Sequence, residues 1–473
     1  MIFVYNRILT YDVNGKRQYV SSNLHNYDIH PWHTGDYHRL ELIEERFNIK
    51  FPYQRTDDES EELNEFCERF RSQSFEVFLD HRWGEHEILT LDEVANKNVC
   101  YIYPLLIYSN EIFLKYDSID LPDQVISDAK EGRCKICFIQ PTEGFFGMQY
   151  DNYIWMDNLS KKYGLSDKSL YIITTNFRAI EMRENMAISG MLTNDSYTIL
   201  EYSYFSTNIW FWPPGYVTDP HFDEQARKLL SDQLSKILVN KERKKFLNFN
   251  RVPKLHRILL FGIFNSVKEL RDTAITTLGA SDNGQQDAFH AYVWNDVYGD
   301  FKFRKELLEF YSKYDSSSHT WYDEPDLENN KASSLNVEAH GNTFVNVVSE
   351  SLIHPTTIFF SEKTFKPILL AQPFIIVGNP FSLRTLREQG YQTFSKWWDE
   401  SYDEEEDFYK RFEKISSLLL EISKWDDEKC FNMTQEMLPT LLHNFNVLLE
   451  GRSIKDTIKK LENFDVKIFK SLI

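Results

Sequence analysis

Apolar and polar positions alternate between two periods along most of this chain. Apolar runs of strand length recur at Phe75–Asp80, Val99–Pro104, Lys135–Gln140 and Leu170–Asn176. Stretches with helical spacing lie between several of them, Asp151–Tyr163 among them. That alternation predicts an α/β architecture with a mainly parallel sheet. Phe222–Asn240 reads as a long polar helix, followed by a basic run, Lys241–Lys245, suited to a connection between domains.

A second α/β set follows. Lys245–Asn250 (KFLNFN) predicts a strand that runs into a turn with Pro253, and Leu255–Leu270 predicts a helix. Phe344–Ser349 and Pro373–Gly378 read as strands, Glu362–Ala371 and Phe381–Gln389 as helices. Beyond Glu404 the pattern is helical: Glu404–Ser423, Asp426–Leu449 and Ile454–Leu472. The expected fold class is therefore α/β, with two Rossmann-like domains (residues 1–240 and 241–403) facing a cleft and a helical C-terminal tail (residues 404–473). Open parallel sheets bind ligands outside the carboxyl ends of their strands, which directs the search for chemistry to the strand-to-helix junctions.

Composition narrows the class of function. The chain holds 53 Lys and Arg against 72 Asp and Glu, a formal net charge of −19. Non-specific nucleic-acid binding depends on Lys and Arg neutralising phosphates, so this balance argues against it. The acidic runs Asp57–Glu62 and Asp399–Asp407 read as solvated faces rather than metal sites. No stretch approaches the roughly 18 consecutive apolar residues of a membrane span. Met1–Tyr11 reads as a first strand rather than a leader, and the expected location is cytoplasmic. The cysteines (Cys67, Cys100, Cys134, Cys137 and Cys430) are odd in number and scattered, as in a reducing compartment. Cys134 and Cys137 have CxxC spacing, but the run CKICFI around them reads as a buried strand. Asp28, His30 and His33 match neither a helical nor a knuckle pattern of metal ligands, and no metal site is expected.

Candidate chemistry concentrates in Phe344–Phe394. Ser361 is a suitable N-cap for a helix beginning at Glu362. The unpaired N–H groups and partial positive charge of a helix start suit a phosphate. Lys363 is unfavourable in a first turn on its own, and a bound anion would compensate it. Glu362 is placed to accept hydrogen bonds from ribose or sugar hydroxyls; the plainer reading is a capped surface helix with an incidental Glu-Lys pair. Upstream, Arg251, Lys254, His256 and Arg257 gather where the strand ending at Asn250 meets the next helix. They make either an anion site or a basic surface turn.

Glu350-Ser351 followed by Phe360-Ser361-Glu362-Lys363 resembles the donor-binding signature of the α-1,3-fucosyltransferase family, and Asn250–Arg257 resembles that family's upstream segment. The block SEKTFKPILLAQPFIIVG, with LREQGYQTF and DESYD beyond it, is similar to glycosyltransferase-like proteins of large tailed bacteriophages. The resemblance spans Lys244 to Asp407, about a third of the chain, and no motif of the first half matches. It implies a GT-B-like fold and transfer of a sugar from a nucleotide-diphosphate sugar to an acceptor hydroxyl, inverting and independent of metal or other cofactor. Lys363 and Arg257 would neutralise the donor diphosphate, with Asn250 and Arg251 beside it. Glu362 would hold donor hydroxyls, and Glu350 would orient this shell or bind ribose. Phe360 stands where that family usually has Tyr and Ser351 where it usually has Asn, so the sugar and the base stay open.

Inverting transfer needs a general base for the acceptor proton. Glu143, in the Gly-flanked loop Gln140–Gly147, is the candidate; Asp80 and His81 are the alternative. The acceptor is a glycan or, given the bacteriophage resemblance, a hydroxymethylated DNA base in the host cytoplasm. For DNA, Lys241–Lys254 or Lys455–Lys467 would have to supply a basic face on an acidic protein. A non-catalytic module that keeps the fold is the third reading.

Overall fold

The structure is a computed structural model and describes residues 2–5, 7–13, 16–22, 87–95, 97, 99–106, 121–140, 146–147, 150–193, 195–207, 222–250, 254–278, 305, 307, 309 and 335–464. The chain forms two compact units: Met1–Tyr204 with His354–Thr357 and Ser453–Ile473, and Phe205–Ile353 with Ile358–Arg452.

The first unit holds strands β1 Ile2–Tyr5, β2 Arg7–Val13, β3 Lys16–Ser22, β4 Glu87–Thr90, β5 Tyr101–Leu106, β6 Cys134–Ile139, β7 Leu170–Thr174 and β8 Thr198–Glu201. β2 and β3 pair antiparallel, from Arg7 opposite Ser22 to Val13 opposite Lys16. The other six form one parallel sheet in the order β4-β1-β5-β6-β7-β8. Every position of β6 and β7 is buried, as in parallel sheets covered on both faces. Phe138 of β6 meets Trp155 of the helix Tyr150–Tyr163 edge-on, with ring centroids 5.3 Å apart. Cys134 and Cys137 are core residues of β6, and burial pushes both thiols up. The elements expected at Val99–Pro104, Lys135–Gln140, Leu170–Asn176 and Asp151–Tyr163 all form, within two residues of those bounds. Phe75–Asp80, His81, Glu143, and the Asp28, His30 and His33 group lie outside the described residues.

The second unit contains β9 Lys244–Asn250, β10 Ala274–Leu278, β11 Thr343–Ser349 and β12 Phe374–Val377. They form a parallel sheet in the order β10-β9-β11-β12. The apolar helix Leu255–Ser266 buries every residue from His256 to Phe264. It ends sooner than its spacing predicts: Val267 is extended (φ −91°, ψ 116°) and separates it from the short helix Lys268–Arg271. The helical C-terminal stretch begins with Phe408–Ser423 and Asp427–Glu450. Their N-caps, Asp407 and Asp426, accept from the N–H groups of Lys410 and Lys429.

In the acidic run Asp399–Asp407, Asp399, Glu404, Glu406 and Asp407 are exposed, as its composition suggests, but two carboxylates turn inward. Glu400 and Asp403 are buried. Residues Ser401–Glu404 form a 3₁₀ turn, which points carboxylates at N–H groups that have no helical partner. Asp403 accepts from the N–H of Leu383 (2.8 Å) and Arg384 (3.0 Å), capping the helix Ser382–Glu388. Glu400 accepts from the hydroxyl of Thr393 (2.7 Å) and the N–H of Phe394 (2.6 Å).

Candidate functional site

In the second unit the chain lays down β9 first, adds β10 on one side and then β11 on the other. The order therefore reverses between β9 and β11, and a ligand of such a sheet sits beyond the carboxyl ends of those two strands. Asn250 ends β9; Ser349 ends β11 and Glu350 follows it.

Glu350 is 1% exposed and is the hub of this end of the sheet. Its Oε2 accepts from the N–H of Ser351 (3.2 Å) and of Ser361 (3.0 Å), and its Oε1 from the Thr364 hydroxyl (2.5 Å). Burial pushes the carboxyl above its ordinary range, against the pull of the Thr364 and Ser361 hydrogen bonds and of Lys363. Its main-chain carbonyl accepts from Nη2 of Arg257 (3.0 Å) and lies 2.8 Å from Nε2 of His256. One carboxylate thus joins the end of β11 to the start of the helix Glu362–Leu369. Ser361 is the N-cap, as expected, with its hydroxyl accepting from the N–H of Lys363 at 3.4 Å.

The charges of that first turn are packed closely. Nζ of Lys363 lies 2.5 Å from Oε1 of Glu362, and the two side chains are 23% and 7% exposed. Burial pushes the Glu362 carboxyl up, but Lys363 and Lys366 outweigh it and leave the group below its ordinary range. Lys366, one turn on, is lowered to about 8 by burial, with Glu362 opposing the shift and Lys363 adding to it. Lys363 is the cation this helix carries in its first turn, with the Glu362 and Glu350 carboxyls close to it, while Lys366 stands in the last turn; a helix start with a cation beside it can receive an anion.

Asn250 is fully buried and donates from Nδ2 to Oδ1 of Asn248 at 2.6 Å, while its own Oδ1 has no hydrogen-bond partner among the described residues. Asn248 in turn donates to the Val347 carbonyl (2.6 Å), so the two asparagines tie β9 to β11 at the reversal point. A Cβ on Gly378, just past β12, would lie 3.2 Å from Cγ2 of Ile376, 3.3 Å from the Ser382 hydroxyl and 3.5 Å from Cγ of Glu350, so a side chain has little room here.

Of the residues singled out from sequence, Arg257, Glu350, Glu362 and Lys363 meet in this network and Asn250 lies at the same end of the sheet. Arg251 and Glu143 are outside the described residues. Two details bear on the roles the resemblance implies. Arg257 is 3% exposed and turns its guanidinium to the carbonyls of Ser349 and Glu350. Glu350 has protein donors on both carboxylate oxygens, which fits orienting the site rather than contacting ribose. Thr364 and Lys366 belong to the network as well, and sequence spacing gave no reason to choose them. His256 is buried and held neutral, lowered to about 3 by burial and by Arg257.

A cavity of about 610 Å³ in this unit is lined by Lys244, Ala274, Glu338 and Asn342 among others and includes none of these site residues. Among the described residues, no group of three His, Cys, Asp or Glu side chains is placed to hold a metal. No helix among them is long and apolar enough to cross a membrane.

No protein-family model matches the chain, and no curated protein does. Among solved structures, a histidine-to-alanine variant of the wall teichoic acid polymerase TagF aligns with 80% of this chain and 79% of its own. The identity is 12% and the TM-score 0.24, a likeness that decides nothing about activity.

Proposed function

We propose that the chain is a GT-B-like glycosyltransferase that takes a sugar from a nucleotide-diphosphate donor bound by the second unit. The observation that carries this reading is the Glu350 network, which fixes a helix N-terminus bearing Lys363 at the reversal point of a parallel sheet. In glycosyl transfer the enzyme must stabilise charge growing on the departing diphosphate. Preorganised cations and helix N–H groups do so without reorganising, and removing one such group commonly lowers the rate ~10²- to 10³-fold. Lys363 is the cation that reaches solvent at this helix start, and Glu362 holds it in place. Glu143, which follows β6 in the sequence and lies outside the described residues, is our candidate for the base that takes the acceptor proton in an inverting transfer. The acceptor is a glycan or a hydroxymethylated DNA base.

A thermal-shift screen against UDP, GDP, CDP and their sugar conjugates, with EDTA and with Mn²⁺, tests the reading. A ligand at ~100 times its Kd stabilises a fold by about 2.7 kcal/mol. Stabilisation by one nucleotide, equal in EDTA and Mn²⁺ and weakened at least ~10-fold in affinity by Lys363→Ala, is the expected result. No stabilisation by any of them would leave the Glu362 helix an ordinary capped helix.

A further inference from the structure

The helix Arg452–Glu462 belongs to the first unit from Ser453 onward. Ile454, Thr457, Ile458 and Leu461 are its buried face. At its start the Ser453 hydroxyl accepts from the N–H of Ser203 at 2.9 Å. Its end is held by a residue near the start of β6. Lys135 is 3% exposed, and its ammonium donates to the carbonyls of Lys460 (2.9 Å), Leu461 (2.9 Å) and Asn463 (2.8 Å). The same ammonium lies 4.7 Å from the ring centroid of Phe464 and 5.2 Å from that of Tyr171.

The last carbonyls of a helix lack intrahelical partners and carry partial negative charge. An ammonium has three protons to donate, and here all three go to one helix end. No carboxylate among the described residues forms an ion pair with Lys135. The dependence is strongest on one side: without the helix end, Lys135 would be a buried charge with nothing to receive its protons, and without Lys135 the buried Leu461 carbonyl would lose its donor. β6 itself is held between β5 and β7 by main-chain pairing that does not involve this side chain.

We infer that Lys135 is a latch: its ammonium docks the helix Arg452–Glu462 onto the first unit as a strap, and loss of that charge releases the strap while the sheet stays folded. Hydrogen–deuterium exchange on the full chain tests this with Lys135→Met and Lys135→Gln. The expected result is exchange roughly 10²-fold faster across Ile454–Glu462 in both variants, with the amides of β5, β6 and β7 unchanged. Unchanged protection of the helix would overturn the inference. So would loss of protection across the sheet as well, because Lys135 would then hold the sheet rather than the strap. Should the Met variant fail to fold, the Gln variant decides, since it keeps two N–H donors near the same reach without the charge.

Discussion

Replacing Glu350 by Ala removes one side chain from three donors at once. The N–H of Ser351, the N–H of Ser361 and the hydroxyl of Thr364 lose their acceptor. All three residues are buried, at 6%, 1% and 0% exposure, so water does not readily replace it. Each buried donor left open costs about 1–3 kcal/mol, which bounds the loss at roughly 3–9 kcal/mol. Two effects reduce it: neighbouring losses are not additive, and a carboxylate whose ionised form burial disfavours no longer has to be buried. The expected net destabilisation of the second unit is about 3–5 kcal/mol. Glu350→Gln keeps one acceptor oxygen and turns an N–H₂ toward the other donors, so about 1–2 kcal/mol is expected. Urea denaturation monitored by tryptophan fluorescence, with hydrogen exchange read separately over each unit, is the appropriate assay, since two units need not unfold together. Loss of protection should begin at Ser361–Thr364 and leave β5–β8 untouched. An Ala variant within 0.5 kcal/mol of the parent, with protection of the Glu362 helix unchanged, would refute the hub role.

Other predictions concern acid stability, a cap and the proposed chemistry. His256 and His340 are buried and lowered to about 3 and about 4, chiefly by burial, so both stay neutral in the fold below the ordinary pKa of about 6.5. The unfolded chain takes up those protons first, so the stability they allow is complete above about pH 6.5 and is lost as pH falls. At pH 5 the loss is about 2 kcal/mol per histidine, and urea midpoints measured from pH 7 to 5 should show it flattened in His340→Gln. Asp403→Ala opens two N–H groups at the start of the helix Ser382–Glu388 and should cost about 1–3 kcal/mol, read as a lower melting temperature of the second unit. Glu143→Gln should abolish turnover while leaving the nucleotide-induced thermal shift intact; a near-normal rate would place the base elsewhere.

How much was legible in the sequence follows from which effects are local. Apolar periodicity marked the strands and helices flanking the site, because a buried parallel strand needs a continuous apolar run and an amphipathic helix a stripe. Lys244–Asn250 and Glu362–Leu369 emerge within two residues of their expected bounds. The cap at Ser361 was equally legible, since N-capping involves only its own and the next few N–H groups. What the pattern did not hold was partner choice across long separations. Glu350 and Thr364 are fourteen residues apart and Lys135 and Leu461 more than three hundred, and no spacing rule connects either pair. Asp403 read as solvent-facing because its neighbours in sequence are acidic; its neighbours in space are the open N–H groups of another helix. Sequence by itself therefore determined the α/β elements, the helix start and the candidate cations, all of which depend on residues a turn or less apart. Only the tertiary structure decided that the Glu350 carboxylate joins a strand end to a helix start, that Arg257 meets the carbonyls of Ser349 and Glu350 and that Lys135 receives the end of the helix Arg452–Glu462. Burial leaves a charged group only the partners the fold brings to it.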